Sequence, residues 1–124
     1  MEPAKTKNKK QILRQKVFDK YDGHCAYCGC NLLPRQWQVD HIWPKYRAHQ
    51  YNGDINTIEN LNPACTKCNN FKSTHTVEEF KRQLSMQPIR LLKNTQFQRA
   101  LKFGLVNVTN NDVVFYFEKE NCKS

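Results

Sequence analysis

Two pairs of cysteines constrain this chain more than any other feature: Cys25 with Cys28, and Cys65 with Cys68, each pair separated by two residues. Such a gap lets both thiolates of a pair reach one ion at about 2.3 Å, and two pairs close a tetrahedral zinc shell with no water left to activate. The zinc is therefore expected to be structural. Disulfides and a redox CxxC are the competing readings. Lysines near Met1 are not followed by an apolar segment of the kind a secretory signal carries, so a reducing, intracellular setting is expected, where thiols stay free for metal. Cys30 and Cys122 are left over. Cys30 is close enough to compete as a ligand, but CxC spacing from Cys28 is more often that of a bystander, and Cys122 lies in a polar tail.

A metal staple suits a chain of 124 residues that is 39% apolar, which can build one domain with a modest core. Aromatic residues at 11%, including Trp37, Trp43 and the run Phe115, Tyr116, Phe117, argue against disorder. The formal charge of +9, from 20 basic and 11 acidic residues, favours a polyanionic partner and hence nucleic acid. No stretch approaches the roughly 18 apolar residues of a membrane span.

Residues Met1 to Lys10 read as a basic arm, either a solvated tail or a DNA-contacting extension. From Gln11 to Tyr21, Leu13, Val17 and Tyr21 recur every four positions and predict a helix that Asp22 and Gly23 end. Residues 23–73 are irregular and rich in Cys, Asn, Gly and Pro, with Gln36 to Ile42 as the best strand. Thr76 and Glu79 form a capping-box pattern before a helix ending near Met86; Pro88 opens another, and Ile89 to Lys93 and Gln96 to Phe103 look helical, with Gly104 as the stop. Leu105 to Thr109 and Val113 to Glu118 flank Asn110, Asn111 and Asp112, which predicts a closing β-hairpin. Lys81, Arg82, Arg90, Lys93, Arg99 and Lys102 lie in a stretch from Phe80 to Asn111 without one acidic residue, a composition suited to DNA phosphates.

Between the cysteine pairs stand Asp40 and His41, a carboxylate beside an imidazole at the end of the predicted strand. Alone, that dipeptide is better explained by a surface acid next to a packed histidine. Its context is more specific: Asn60 and Leu61 follow, then Cys65 and Cys68, then Asn69 and Lys72. In this order the residues resemble the HNH endonuclease family over residues 23–73. The basic helical segment, 76–104, and the hairpin, 105–118, are more loosely similar to small free-standing HNH proteins of phages and prophages.

The resemblance implies an α+β fold with a ββα-metal core, stapled by the four-cysteine zinc site and flanked by helices, in a single nuclease domain over 11–124. It implies a metal-dependent endonuclease acting on DNA, most simply duplex DNA, in the cytoplasm of a bacterial or phage-infected cell. His41 would be the general base, since a neutral imidazole, ordinarily titrating near 6.5, can take a proton from the attacking water. Asp40 and Asn69 would hold one divalent cation, Mg²⁺ or Mn²⁺. Neighbours on a regular strand point to opposite faces, so a bend or bulge is expected at Asp40 and His41. Asn60 would orient the catalytic loop, and Lys72 would face the phosphate. The insert between His41 and Asn60 could reach into a groove or be a plain loop. His24, His49 and His75 read as structural or exposed, and Trp37 and Trp43 as cover for the site. Two other classes stay open: a non-catalytic zinc-stapled nucleic-acid-binding module, and an HNH nuclease directed at RNA.

Overall fold

The computed structural model describes residues 8–33 and 36–121. Most of the predicted arm, residues 1–7, and Cys122 lie outside them. The first helix begins within the residues expected to belong to the arm, because the side chain of Asn8 accepts from the Gln11 backbone while Gln11 bonds back to Asn8. This reciprocal cap satisfies amide donors that a helix end would otherwise leave free, and it starts helix α1 at Lys9–Asp19. Only Val17 of α1 is fully buried. Lys20, just past α1, is half-buried and donates to the carbonyls of Ile58 (3.0 Å) and Leu61 (2.8 Å) and to Asn62 Oδ1 (3.2 Å), which fastens the helix to the chain entering the second strand.

Strands β1 (Trp37–His41) and β2 (Leu61–Cys65) pair antiparallel in unbroken register, Trp37 opposite Cys65 and His41 opposite Leu61. The expected bulge at Asp40 and His41 is therefore absent. Their opposite orientations are used as they stand, because structure packs on both faces of the ribbon. On one side helix α2 (Thr66–Lys72) follows β2 directly; Cys65 is its N-cap, its sulfur accepting from the Cys68 amide at 3.4 Å. A two-stranded ribbon is marginal by itself. Here the first cysteine knuckle is pinned to β2, the Ala26 amide donating to the Pro63 carbonyl at 2.8 Å.

Thr76 and Glu79 form the predicted capping box of α3 (Val77–Ser85), which buries Phe80. Helices α4 (Gln87–Leu91) and α5 (Thr95–Lys102) bury no residue fully. Gly104, at φ +74°, reverses the chain after α5, and the Leu105 amide returns to the Ala100 carbonyl at 2.8 Å, a C-terminal cap that a side chain would strain. No helix among the described residues is long and apolar enough to cross a membrane.

The closing hairpin is not formed. Residues 105–115 run irregularly and a short helix, α6 (Tyr116–Asn121), takes the second strand's place. The aromatic run has a better partner than residues 105–109. Phe115 is buried with its ring 5.2 Å from those of Tyr27 and Phe80, and the amides of Tyr116 and Phe117 donate to the carbonyls of Tyr27 (3.0 Å) and Ala26 (2.9 Å). Tyr116 also lies so close to Gly29 that a Cβ there would sit 2.7 Å from its ring. Leu105, Val106 and Val108 gain no such burial and stay exposed.

This packing predicts that Phe115→Ala lowers the unfolding free energy by about 3–5 kcal/mol, whereas Val108→Thr changes it by less than about 0.5 kcal/mol. Chemical denaturation of both variants measures the difference; comparable losses would point instead to a paired 105–109 strand.

Candidate functional site

Burial separates the two neighbours at the end of β1. Asp40 is 4% exposed and His41 is partly open. A buried carboxylate must be paired or hydrogen-bonded to stay ionised. Asp40 accepts from the Tyr27 hydroxyl and, at 3.3 Å, from Lys72 Nζ. Burial pushes its carboxyl up from the ordinary range, and the Lys72 ammonium and Tyr27 hydroxyl act against that push. Burial likewise lowers Lys72, and burial beside Asp40 raises Tyr27, so the hydroxyl remains a donor.

Lys72 is fully buried, and its ammonium also donates to the His41 carbonyl at 2.8 Å. It therefore does not face a phosphate. From the last turn of α2 it clamps Asp40 and the His41 backbone in place. Asn60 ties the chain beyond β1: its Oδ1 accepts from the Trp43 amide at 2.8 Å, while Nδ2 donates to the carbonyls of Trp43 (3.2 Å) and Ile55 (2.9 Å). Every polar atom of this buried amide is used inside the protein. The insert it holds is folded, with a 3-10 segment, Lys45–Gln50, anchored by Arg47 to Glu79 at 2.6 Å and by Trp43 Nε1 to the Arg47 carbonyl at 2.7 Å.

Asn56 was not distinguished by sequence pattern. Its Oδ1 lies 2.9 Å from His41 Nε2, and its own amide is held by Asp54 Oδ1 at 2.8 Å. An amide oxygen only accepts, so Nε2 is the donor in this contact, an arrangement that in a neutral ring leaves the lone pair on Nδ1. The one available signal was the turn chemistry of Asp54 and Asn56, which says nothing of the ring fifteen positions away.

His41, Asp40 and Asn69 line one open hollow of about 410 Å³, together with Pro44, Lys45, Tyr46, Ser73 and Thr74. Asn69 donates through Nδ2 to Gln38 Oε1, while its Oδ1 has no partner among the described residues. A carboxylate offers about four lone-pair positions, and Tyr27 and Lys72 occupy two of those on Asp40. The remaining donors are oxygens, which fits a hard divalent cation. His41 also borders a second hollow of about 250 Å³, lined by Lys10, Leu13 and Arg14 of α1 with Val39, Asn56 and Leu61. The placement of Lys10 and Arg14 beside His41 depends on how α1 packs and was not legible in the sequence. Of the other histidines, His24 stacks on Tyr116 at 5.4 Å and His49 is exposed. Trp37 packs against Phe18 and under Arg14.

The sulfurs of Cys25, Cys28, Cys30 and Cys65 lie within 4.8 Å of one another. Cys68, the fourth sulfur expected from the spacing, is buried at the start of α2 and is not among these four, although its backbone amide donates to the Cys65 sulfur at 3.4 Å. The donor set fits a tetrahedral thiophilic ion.

Residues 25–75 match the HNH endonuclease family. A CRISPR-associated endonuclease Cas9 from Corynebacterium diphtheriae is 38% identical over 61 residues; the match takes in 49% of this chain and 5% of the relative. In a crystal structure of the Type II-C Cas9 enzyme from Actinomyces naeslundii, a similar fold covers 88% of this chain and 12% of that one, with a TM-score of 0.52 and 18% identity. The chain thus corresponds to a small part of either protein.

Removing either partner of the Asp40–Lys72 pair strands a buried charge. Asp40→Ala and Lys72→Ala are each expected to cost about 3–5 kcal/mol of stability, and Asp40→Leu combined with Lys72→Met less than the sum of the two. Denaturant titration of the set checks this, and additive losses would mean that the two groups are not coupled.

Proposed function

With an HNH endonuclease domain at residues 25–75 as the premise, we propose that this chain hydrolyses phosphodiester bonds of DNA, with His41 as the general base. The observation that carries the reading is the convergence of His41, Asp40 and Asn69 on one open hollow, with the proton of His41 directed to Asn56. A bare nucleic-acid-binding module has no use for that convergence. Nδ1 takes a proton from water as the water oxygen attacks phosphorus, and the bond to the 3′ oxygen breaks. Asn56 positions the ring and fixes its tautomer. Lys72 and Asn60 hold the strand end and the following loop without touching substrate. Asp40 and Asn69 would hold Mg²⁺ or Mn²⁺, which when bound supplies charge stabilisation at the phosphate and the leaving oxygen.

The substrate's backbone is met by positive charge from two directions. Lys10 and Arg14 rim the hollow beside His41. Arg82, Arg90, Lys93, Arg99 and Lys102 are exposed along α3, α4 and α5, while Lys81 is engaged with Glu118. Such groups release counterions from phosphates and add affinity without reading bases. The setting that follows is the interior of a bacterial or phage-infected cell.

Cleavage of supercoiled plasmid, single-stranded DNA and RNA in Mg²⁺ or Mn²⁺ tests the proposal. His41→Ala should reduce DNA cleavage by about 10²–10⁴-fold with DNA binding retained, and Asn56→Ala should fall between that variant and wild type. Full activity of His41→Ala would remove the mechanism, and cleavage of RNA alone would reassign the substrate.

Binding should also weaken steeply with salt. Replacing Arg90, Lys93, Arg99 and Lys102 by Gln is expected to flatten the plot of log affinity against log salt by up to about 0.9 for each phosphate that is no longer neutralised; an unchanged slope would place α4 and α5 away from DNA.

A further inference from the structure

The four sulfurs that gather at the knuckles are those of Cys25, Cys28, Cys30 and Cys65, and Cys68 stands next to them at the start of α2. Cys25, Cys28 and Cys65 form a common trio, with Cys28 and Cys65 sulfurs 3.9 Å apart. Two thiolates on one tetrahedral zinc stand about 3.8 Å apart, given Zn–S bonds near 2.3 Å. The trio is thus spaced for an ion, and the open question is the fourth ligand. Cys68 approaches the trio from α2, where its backbone amide donates to the Cys65 sulfur at 3.4 Å. Cys30 reaches it from the first knuckle, contacting Cys28 and Cys65 and lying within 4.8 Å of Cys25 as well.

The first knuckle explains how a CxC spacing delivers its second sulfur. The Cys25 amide donates to the Cys30 carbonyl at 2.9 Å, and Gly29, at φ +80°, donates to the Cys25 carbonyl at 3.0 Å. The chain from Cys25 to Cys30 is closed into a tight loop, which turns Cys30 back toward its neighbours. Pairing of His24 with Asn31 holds the base of that loop. Cys30 is only partly buried, while Cys68 is buried in the core beside Ala64 and Phe80.

We propose that Cys30 is a zinc ligand of this protein, able to complete the shell on Cys25, Cys28 and Cys65 in place of Cys68. The site then holds one ion with four thiolates drawn from five, and loss of either Cys30 or Cys68 leaves a full set. Loss of both, or of a member of the trio, does not. This inference stands apart from the nuclease reading, since it concerns metal content and ligand number alone.

The test uses the full chain purified under reducing conditions, with elemental zinc analysis and the visible spectrum after Co²⁺ replacement, whose thiolate charge-transfer intensity reports the number of sulfur ligands. Cys30→Ser, Cys68→Ser and Cys68→Ala are each expected to keep one zinc per chain and the four-thiolate spectrum of wild type. Cys30→Ser combined with Cys68→Ala, and Cys65→Ser alone, should drop to a three-thiolate spectrum and lose zinc to a chelator that leaves wild type loaded. The apolar Cys68→Ala variant suits the buried position and guards against a loss caused by a buried hydroxyl. If both Cys68 variants lose zinc or show three thiolates while Cys30 is intact, Cys30 is a bystander and the proposal is overturned. Wild-type protein without zinc would overturn it equally.

Discussion

The buried pairing of Asp40 with Lys72 is the interaction on which the site's geometry rests. It joins three pieces of chain that are far apart in sequence: the end of β1, the last turn of α2 and, through the Tyr27 hydroxyl, the first cysteine knuckle. Two charges taken out of water repay the cost only when their geometry is good and their remaining valences are satisfied. Here Lys72 also donates to the His41 carbonyl, so the same ammonium that neutralises Asp40 fixes the backbone of the proposed base. The pair is thus a positioning device, and no buried side-chain polar atom among the described residues lacks a partner.

The knuckles bear on this arrangement through Tyr27. Its ring packs against Phe80, Phe115 and Phe117, and its hydroxyl reaches Asp40. Closing the thiol cluster fixes the backbone on both sides of Tyr27, because Cys25 and Cys28 flank it and Ala26 is bonded to β2. A metal at the cluster would therefore act on the site at a distance by holding one hydroxyl where the buried carboxylate needs it.

His41 occupies the opposite environment. It is partly open, borders two open hollows and is oriented by a loop amide rather than by a charge. A group that must exchange protons with water belongs at such a boundary, while a group that must hold shape belongs inside. A regular strand supplies both from adjacent residues, which is why no bulge is required.

Much of the core was legible in sequence because it depends on local spacing. The CxxC gap of Cys25 and Cys28 brings two sulfurs together, β1 lies within the stretch from Gln36 to Ile42 expected as a strand, and Thr76 with Glu79 determines the start of α3 by a cap only three residues long. The order of Asp40, His41, Asn60, Asn69 and Lys72 around the second cysteine pair pointed to a candidate site. Local chemistry could not assign each residue its depth. Lys72 reads as a phosphate contact on a helix surface until α2 packs it against Asp40, and Cys30 reads as a bystander until its loop folds back on the other sulfurs. The residues from Val113 to Glu118 have the composition of a strand, but Phe115 gains more by burial against Tyr27 and Phe80 than by pairing with an exposed segment. Asn56 meets His41 only because Asn60 ties the loop between them. Sequence by itself determined which groups are present and in what order, because spacing along a chain is covalent; tertiary structure alone decided which are buried, paired or open, because those depend on contacts between segments that spacing does not encode.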